Sequence, residues 1–198
     1  MGAITRALAN NITTGGVILP SGINNTSISN VTSLPSGVGG KVLQVVQDTK
    51  LDTFSHTSAT LTDITGLAVT ITPSSTSSKI MIQASVVVSG GQADKNYLLA
   101  VTRGDTEIYK ADQAGTNRQR AGGGIHYMHG ATQLQGTYST NIMYLDSPSS
   151  TSAITYKIKA QSNDGATMWI NRTGDGTDDP NRASFPSSIT VMEIAGWL

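Results

Sequence analysis

Cysteine is absent from the 198 residues, which excludes disulfides and thiolate metal sites and leaves the redox compartment open. Charge is scarce: 13% of the residues are charged, about half the usual share. The 13 basic side chains are matched by 13 acidic ones. With no excess and no basic run there is no electrostatic footprint for nucleic acid, and nucleic acid is not an expected partner. No apolar run approaches the roughly 20 residues that span a bilayer, so membrane insertion is not expected. The opening MGAITRALANN has one Arg and no apolar stretch, and does not read as a secretory leader. Arg6 stands where a myristoylation motif requires Ser or Thr.

Ser and Thr take the place of charge, 48 residues in all, so hydroxyls keep the surface wet. Two regions separate. Residues 1–40 hold no aromatic and a single charge, Arg6, and their apolar residues are isolated. Such a segment cannot bury enough of itself to offset its ordering entropy. It contains Leu-Pro-Ser-Gly twice, at 19–22 and at 34–37, but two copies fall below the roughly three expected of a self-supporting array. The expectation is an extended attachment arm that docks on a partner through Ile12, Ile18, Leu19, Ile23, Ile28 and Leu34.

From residue 41 to 198 the pattern becomes short runs alternating by two, the period of a half-buried strand. LAVTIT places Leu67, Val69 and Ile71 on one face; KIMIQASVVVS does the same with Ile80, Ile82, Ala84, Val86 and Val88. AITYKIKAQS turns Ile154, Tyr156, Ile158 and Ala160 inward and Lys157 and Lys159 outward. Gly104-Asp105 between NYLLAVTR and TEIYK is a hairpin signal. Residues 111–124 are the longest irregular stretch, and no run carries helical spacing. At least eight strands between turn signals predict an all-β, antiparallel, jelly-roll-like sandwich. SSITVMEI is apolar on both faces, through Ile189 and Val191 on one and Met192 and Ile194 on the other; Met81 and Val87 likewise oppose the main face of their strand. A lone sandwich needs one apolar face per strand, so the second face points to subunit contact, in a homotrimer.

Chemistry-bearing patterns are few. His126 and His129 are three apart, which on a strand puts them on opposite faces, so no metal is expected. Asp175, Asp178, Asp179 and Asn181 form an acidic loop, but Pro186 stands where an EF-hand needs its bidentate acid. No nucleophile elbow, phosphate loop or placed pair of carboxylates is found, and the chain is not expected to be an enzyme or to carry a cofactor. Carbohydrate recognition asks for aromatic faces beside amides or Arg. The candidates are Asn117, Arg118 and Arg120 in the irregular stretch, Tyr127, and Trp169 with Asn171 and Arg172. Trp169 alternates in phase with Thr167 and Asn171, which makes it either a surface platform or a subunit-contact residue. Asn11, Asn30 and Asn171 each begin N-x-T.

GKVLQVVQ, DITGLAVTITPSSTSSKIMI, ITYKIKAQS and SSITVMEIAG resemble a C-terminal domain of tailed-bacteriophage fibre and virion structural proteins, typically of marine and cyanobacterial phages. ITRALANNITTGGV and NNTSISNVTSLPSG resemble the start of such proteins. The resemblance implies a trimeric β-sandwich with a thin N-terminal attachment segment. It implies a virion location, other tail, baseplate or capsid proteins as partners, and a host cell-surface glycan as a possible target. Residues 90–140 match no pattern of that kind. A tail fibre or receptor-binding protein is the first expectation, and a capsid decoration or head fibre the alternative.

Overall fold

A computed structural model describes residues 42–127, 136–174 and 178–196. The arm residues Ile12, Ile18, Leu19, Ile23, Ile28 and Leu34, together with His129 and Asp175, lie outside the described residues, as does the side chain of Tyr127.

Eleven strands follow in order: β1 (Val42–Lys50), β2 (Phe54–His56), β3 (Thr62–Ile71), β4 (Lys79–Gly90), β5 (Lys95–Arg103), β6 (Thr106–Tyr109), β7 (Gly123–Tyr127), β8 (Tyr138–Asp146), β9 (Ile154–Ser162), β10 (Met168–Ile170) and β11 (Ser187–Ile194). Helix is confined, among the described residues, to one 3-10 turn at Asn163–Gly165. All pairings are antiparallel. The first sheet holds β1, β11, β4, β10, β2 and β8; the second holds β3, β9, β5, β6 and β7.

The registers reduce these segments to eight strands. Val88 pairs with Tyr138 of β8 on one side and Ile170 of β10 on the other, while Ala84 pairs with Ile142 of β8 and Ile189 of β11. So β10 and β11 lie end to end along one edge of β4, opposite β8. Outside them β1 pairs with β11, and β2 with β10, again end to end. In the second sheet, β6 and β7 share the edge of β5 away from β9. The first sheet therefore reads β1/β2, β10/β11, β4, β8, and the second β3, β9, β5, β6/β7. That is the strand order of a jelly roll; the alternating runs predict the antiparallel sandwich, and the registers supply the order.

Three strands are thus split. A short jog at 51–53 divides β1 from β2. A long excursion at 110–122 divides β6 from β7, and another at 171–186 divides β10 from β11. The alternation predicted from sequence holds within the uninterrupted strands: Leu67, Ile80, Ile82, Val86, Val88, Tyr156, Ile158 and Ala160 are all buried between the sheets. Val87 departs from the expectation. It keeps only 8% exposure, so it offers nothing to a partner. Its backbone N–H donates to Ser187 Oγ (2.9 Å), and its carbonyl accepts from the N–H of Asn171 (3.0 Å).

The serine-rich connection between β3 and β4 has a purpose that composition does not show. Glu193 keeps the inward phase of Ile189 and Val191 and is 1% exposed. One of its carboxylate oxygens accepts from Ser74 N (2.7 Å), Ser74 Oγ (2.6 Å) and Ser78 Oγ (2.6 Å), and the other from Gln44 Nε2 (2.6 Å). Burial alone would push its carboxyl up, but these donors together hold it below the ordinary glutamate value. A depressed folded-state pKa means that the contribution is complete above the unfolded value and lost as pH falls through the lower folded one. Glu193→Gln sets an amide N–H₂ against those donors and is expected to cost about 2 kcal/mol at neutral pH. Urea unfolding at neutral and at acid pH checks this: the gap between wild type and variant should shrink in acid, and an unchanged gap would contradict the cage.

Candidate functional site

The excursion at 110–122 leaves the edge of the second sheet and returns to it. Its neck is closed by Ala111 N–H donating to the Ala121 carbonyl (3.1 Å) and by Arg120 Nε donating to the Ala111 carbonyl (2.7 Å). Within it, Gln113 Nε2 donates to the carbonyls of Gly115 and Arg118. The strand resumes through Gly122, Gly123 and Gly124. A Cβ on Gly124, whose φ is +138°, would overlap the Tyr97 carbonyl oxygen, and one on Gly122 would reach within 2.6 Å of the Tyr109 carbonyl oxygen. These glycines allow close backbone re-entry beside β5.

The closed excursion stands beside Asn96 and Leu98, which alternation turns to the outer face of the second sheet. A groove of about 440 Å³ opens between them, lined by Asn96, Leu98, Asn117, Arg118, Gln119 and Asn163. A second hollow of about 330 Å³ shares Asn96 and Leu98 and continues along Gly122–Gly124, Ile125 and His126. Side chains are chained across this surface. His126 Nδ1 meets Asn96 Oδ1 at 2.9 Å, Asn96 Nδ2 donates to Gln119 Oε1 (3.4 Å), and Gln119 Nε2 donates to Asn163 Oδ1 (3.3 Å). With its oxygen toward His126, Asn96 accepts there, and its amide nitrogen is left to donate to Gln119. Each amide keeps further donor or acceptor capacity for a ligand. The chain ends on Asp164, which accepts from Asn163 Nδ2 (3.3 Å) and Lys95 Nζ (3.0 Å).

Farther along the same outer face the charges pair. Lys157 meets Asp63 at 2.9 Å and Asp105 at 3.5 Å; Lys159 meets the same two at 3.0 and 3.2 Å. Hydrogen bonding to these lysines holds both carboxyls below their ordinary value, and hydrogen bonding to Asp63 raises both lysines.

The residues predicted for recognition are only partly brought together. Asn117 and Arg118 line the groove, while Arg120 spends its Nε on the neck. Tyr127 is placed by backbone alone, opposite Lys95 at the end of β7. Trp169 belongs to the other sheet, and Arg172 to the excursion that leaves it. The Arg172 guanidinium covers the Trp169 ring at 4.3 Å from its centroid, so that ring face is not an open platform. Trp169 Nε1 is buried with no hydrogen-bond partner among the described residues. Arg172 also lines a hollow of about 220 Å³ with Thr53, Asp178, Asp179 and Arg182. Asn171 must be corrected. The strand ends at Ile170, and Asn171 adopts φ +67° and is 0% exposed. Its phase is thereby broken and its side chain turns into the interior, where neither a ligand nor a glycan can reach it.

Asn96, Gln119, Asn163 and His126 are the groove residues that sequence reading missed as contacts. They come from a strand, an excursion, a 3-10 turn and a second strand, and no spacing links them. The described residues contain no cluster of three or more His, Cys, Asp or Glu suited to a metal, and no helix of theirs is long and apolar enough to cross a membrane.

No protein-family model matches the chain, and no curated protein matches it. Two of the solved structures that resemble it come from infectious bursal disease virus. One is the structure of the Gx strain, at 15% identity and a TM-score of 0.36, over 77% of this chain and 38% of that one. The other is a mutant VP2 protein in T=1 particles, at 13% identity and a TM-score of 0.35, over 77% and 36%. This chain thus spans well under half of either. Likeness at this level bears on neither function nor partners.

Proposed function

We propose that this chain is a virion surface protein, of the tail-fibre or receptor-binding kind, attached through residues 1–40 and presenting its sandwich to a host-surface glycan. The observation that carries the reading is the amide-lined groove. A neutral sugar offers hydroxyls that donate and accept alike, and Asn96, Gln119 and Asn163 offer both functions over a surface that includes Leu98. Shallow open sites bind weakly one at a time, and display of several copies on one particle multiplies that affinity.

The test is binding of the full chain, displayed multivalently, to host cells and to an array of neutral glycans. Asn96→Ala breaks the chain of amides at its centre. It is expected to weaken binding at least tenfold, equivalent to about 1.4 kcal/mol, while the melting temperature stays within about 2 °C because the side chain is partly exposed. Adsorption of the virus should be blocked by wild-type protein and not by the variant. A wild-type protein that binds neither cells nor glycans would remove the receptor reading and leave the capsid decoration or head fibre.

A further inference from the structure

On the second sheet and its excursion, acids match the lysines. Lys95 meets Asp164 at 3.0 Å, Lys110 meets Glu107 at 3.1 Å, and Lys157 and Lys159 share Asp63 and Asp105. The two arginines of the excursion are used differently. Arg120 gives its Nε to the Ala111 carbonyl at the neck. Arg118 has its carbonyl fixed by Gln113 Nε2 (3.0 Å), while its guanidinium forms no ion pair among the described residues. It is also the one charged side chain among the described residues that line the 440 Å³ groove. The adjoining hollow of about 330 Å³ meets the groove at Asn96 and Leu98 and runs on over Gly122–Gly124; its described lining holds no Lys, Arg, Asp or Glu.

We infer that the ligand of this site is an acidic oligosaccharide of at least two linked units, one bearing a carboxylate that Arg118 binds and the next uncharged. The inference rests on the glycan reading above and specifies it. The guanidinium is planar and presents paired N–H donors, which match the two oxygens of a carboxylate. One cation balances a monoanion. A phosphate, at about −1.5 to −2, asks for a second cation that the described lining lacks. Lys95 does not supply it, because Asp164 already holds its ammonium. The hollow over the glycines takes the opposite kind of unit: it offers backbone, His126 and the Asn96 amide, and no fixed charge to meet an acid. Asn96 stands where the two hollows join, so its amide serves both units.

Titration calorimetry of the full chain with three sets of soluble oligosaccharides tests this. The first joins neutral hexoses to a hexuronic acid. The second is the same with each carboxyl reduced to a primary alcohol, and the third carries a sulfate ester in place of the carboxylate. Wild type is expected to bind the uronate form at least tenfold more tightly than the reduced form. Arg118→Gln should bring that ratio close to one, and Arg118→Lys, which keeps the charge and loses the fork, should leave it between. Asn96→Ala should weaken both forms together and keep the wild-type ratio. Free hexuronic acid should bind at least tenfold more weakly than the two-unit form. Equal affinity for the uronate and reduced forms overturns the inference while leaving the glycan reading in place, and so does a ratio that Arg118→Gln does not move. Preference for the sulfate ester overturns the carboxylate, and free hexuronic acid binding as tightly as the two-unit form overturns the second unit. Binding of none of the three sets removes the glycan reading itself, and this inference with it.

Discussion

Asn171→Ala is expected to destabilise the protein by about 4 kcal/mol, a large share of the 5–15 kcal/mol typical of a domain. Asn171 stands where the long excursion leaves β10, directly beside the jog between β1 and β2. Its Nδ2 donates to the carbonyls of Lys50 (2.8 Å) and Asp52 (2.9 Å), and its Oδ1 accepts from Ser187 Oγ (2.5 Å). Ser187 Oγ in turn accepts from Val87 N–H, and the Asn171 carbonyl accepts from Phe185 N–H (3.1 Å). One side chain therefore joins the end of β1 and the middle of the jog to the first residue of β11. Truncation leaves buried polar groups unpaired, at about 1–3 kcal/mol each where water cannot replace the bond. The left-handed backbone adds about 1 kcal/mol for Ala, which Asn tolerates and Gly does not feel. Asn171→Gly separates the terms and should recover about 1 kcal/mol relative to Asn171→Ala. Asn171→Asp should behave nearly as badly as Ala, because a carboxylate cannot donate to two carbonyls. Denaturant unfolding of the three variants supplies the check. A loss below about 1 kcal/mol for Asn171→Ala, the level of a surface substitution, would mean that the splice holds without it.

The same residue shows where sequence reading stops. Alternation is a local signal, and it placed the inward residues of β3, β4 and β9 because those strands run nine or more residues without interruption. It misplaced Asn171 because parity was carried from Trp169 across a strand end. β10 is three residues long and β6 four, too short for a period to declare itself, so the split strands had no signature until their registers were seen. Gly104-Asp105 was legible because a two-residue turn is written in its own residues. The cage around Glu193 was not, since its donors lie 115 to 149 residues away in sequence. The groove divides likewise. Asn117 and Arg118 were readable as polar residues in a long irregular stretch, whereas Asn96 and Asn163 become contacts only after the excursion returns to the sheet.

The two excursions and the buried polar ties form one arrangement. A jelly roll with continuous strands would offer smooth sheet faces. Splitting β6/β7 raises a loop over the second sheet and makes the groove there. Splitting β10/β11 interrupts the second strand of the first sheet, and Asn171 bridges the interruption with hydrogen bonds. At this second split, polar groups fixed in the core hold the interrupted strand: Asn171 bonds Lys50, Asp52 and Ser187.

Asp146→Ala is expected to cost about 3–5 kcal/mol, the range for removing one partner of a buried ion pair. For a chain of this length that lowers the melting temperature by about 10 °C. Asp146 ends β8 of the first sheet and is 5% exposed. It accepts from two residues of the second sheet: Arg103 Nη1, at 3.0 and 3.2 Å to its two oxygens, and Tyr156 Oη at 2.7 Å. Apolar contact elsewhere between the sheets has no direction and would tolerate sliding; this triad sets how they meet at one end of the core. Burial pushes the Tyr156 phenol well above its ordinary value, and donation to the carboxylate pushes it further, so it remains a donor throughout the stable pH range. Asp146→Asn keeps the shape but loses the charge, and should fall between wild type and Ala. Tyr156→Phe removes one donor while the carboxylate keeps Arg103, and should cost only about 1–2 kcal/mol. The cycle of Arg103→Met, Asp146→Ala and the double variant isolates the pair. A coupling energy above about 1 kcal/mol is expected of a shielded charge pair, and one near zero would place the Arg103 contact among ordinary surface ion pairs.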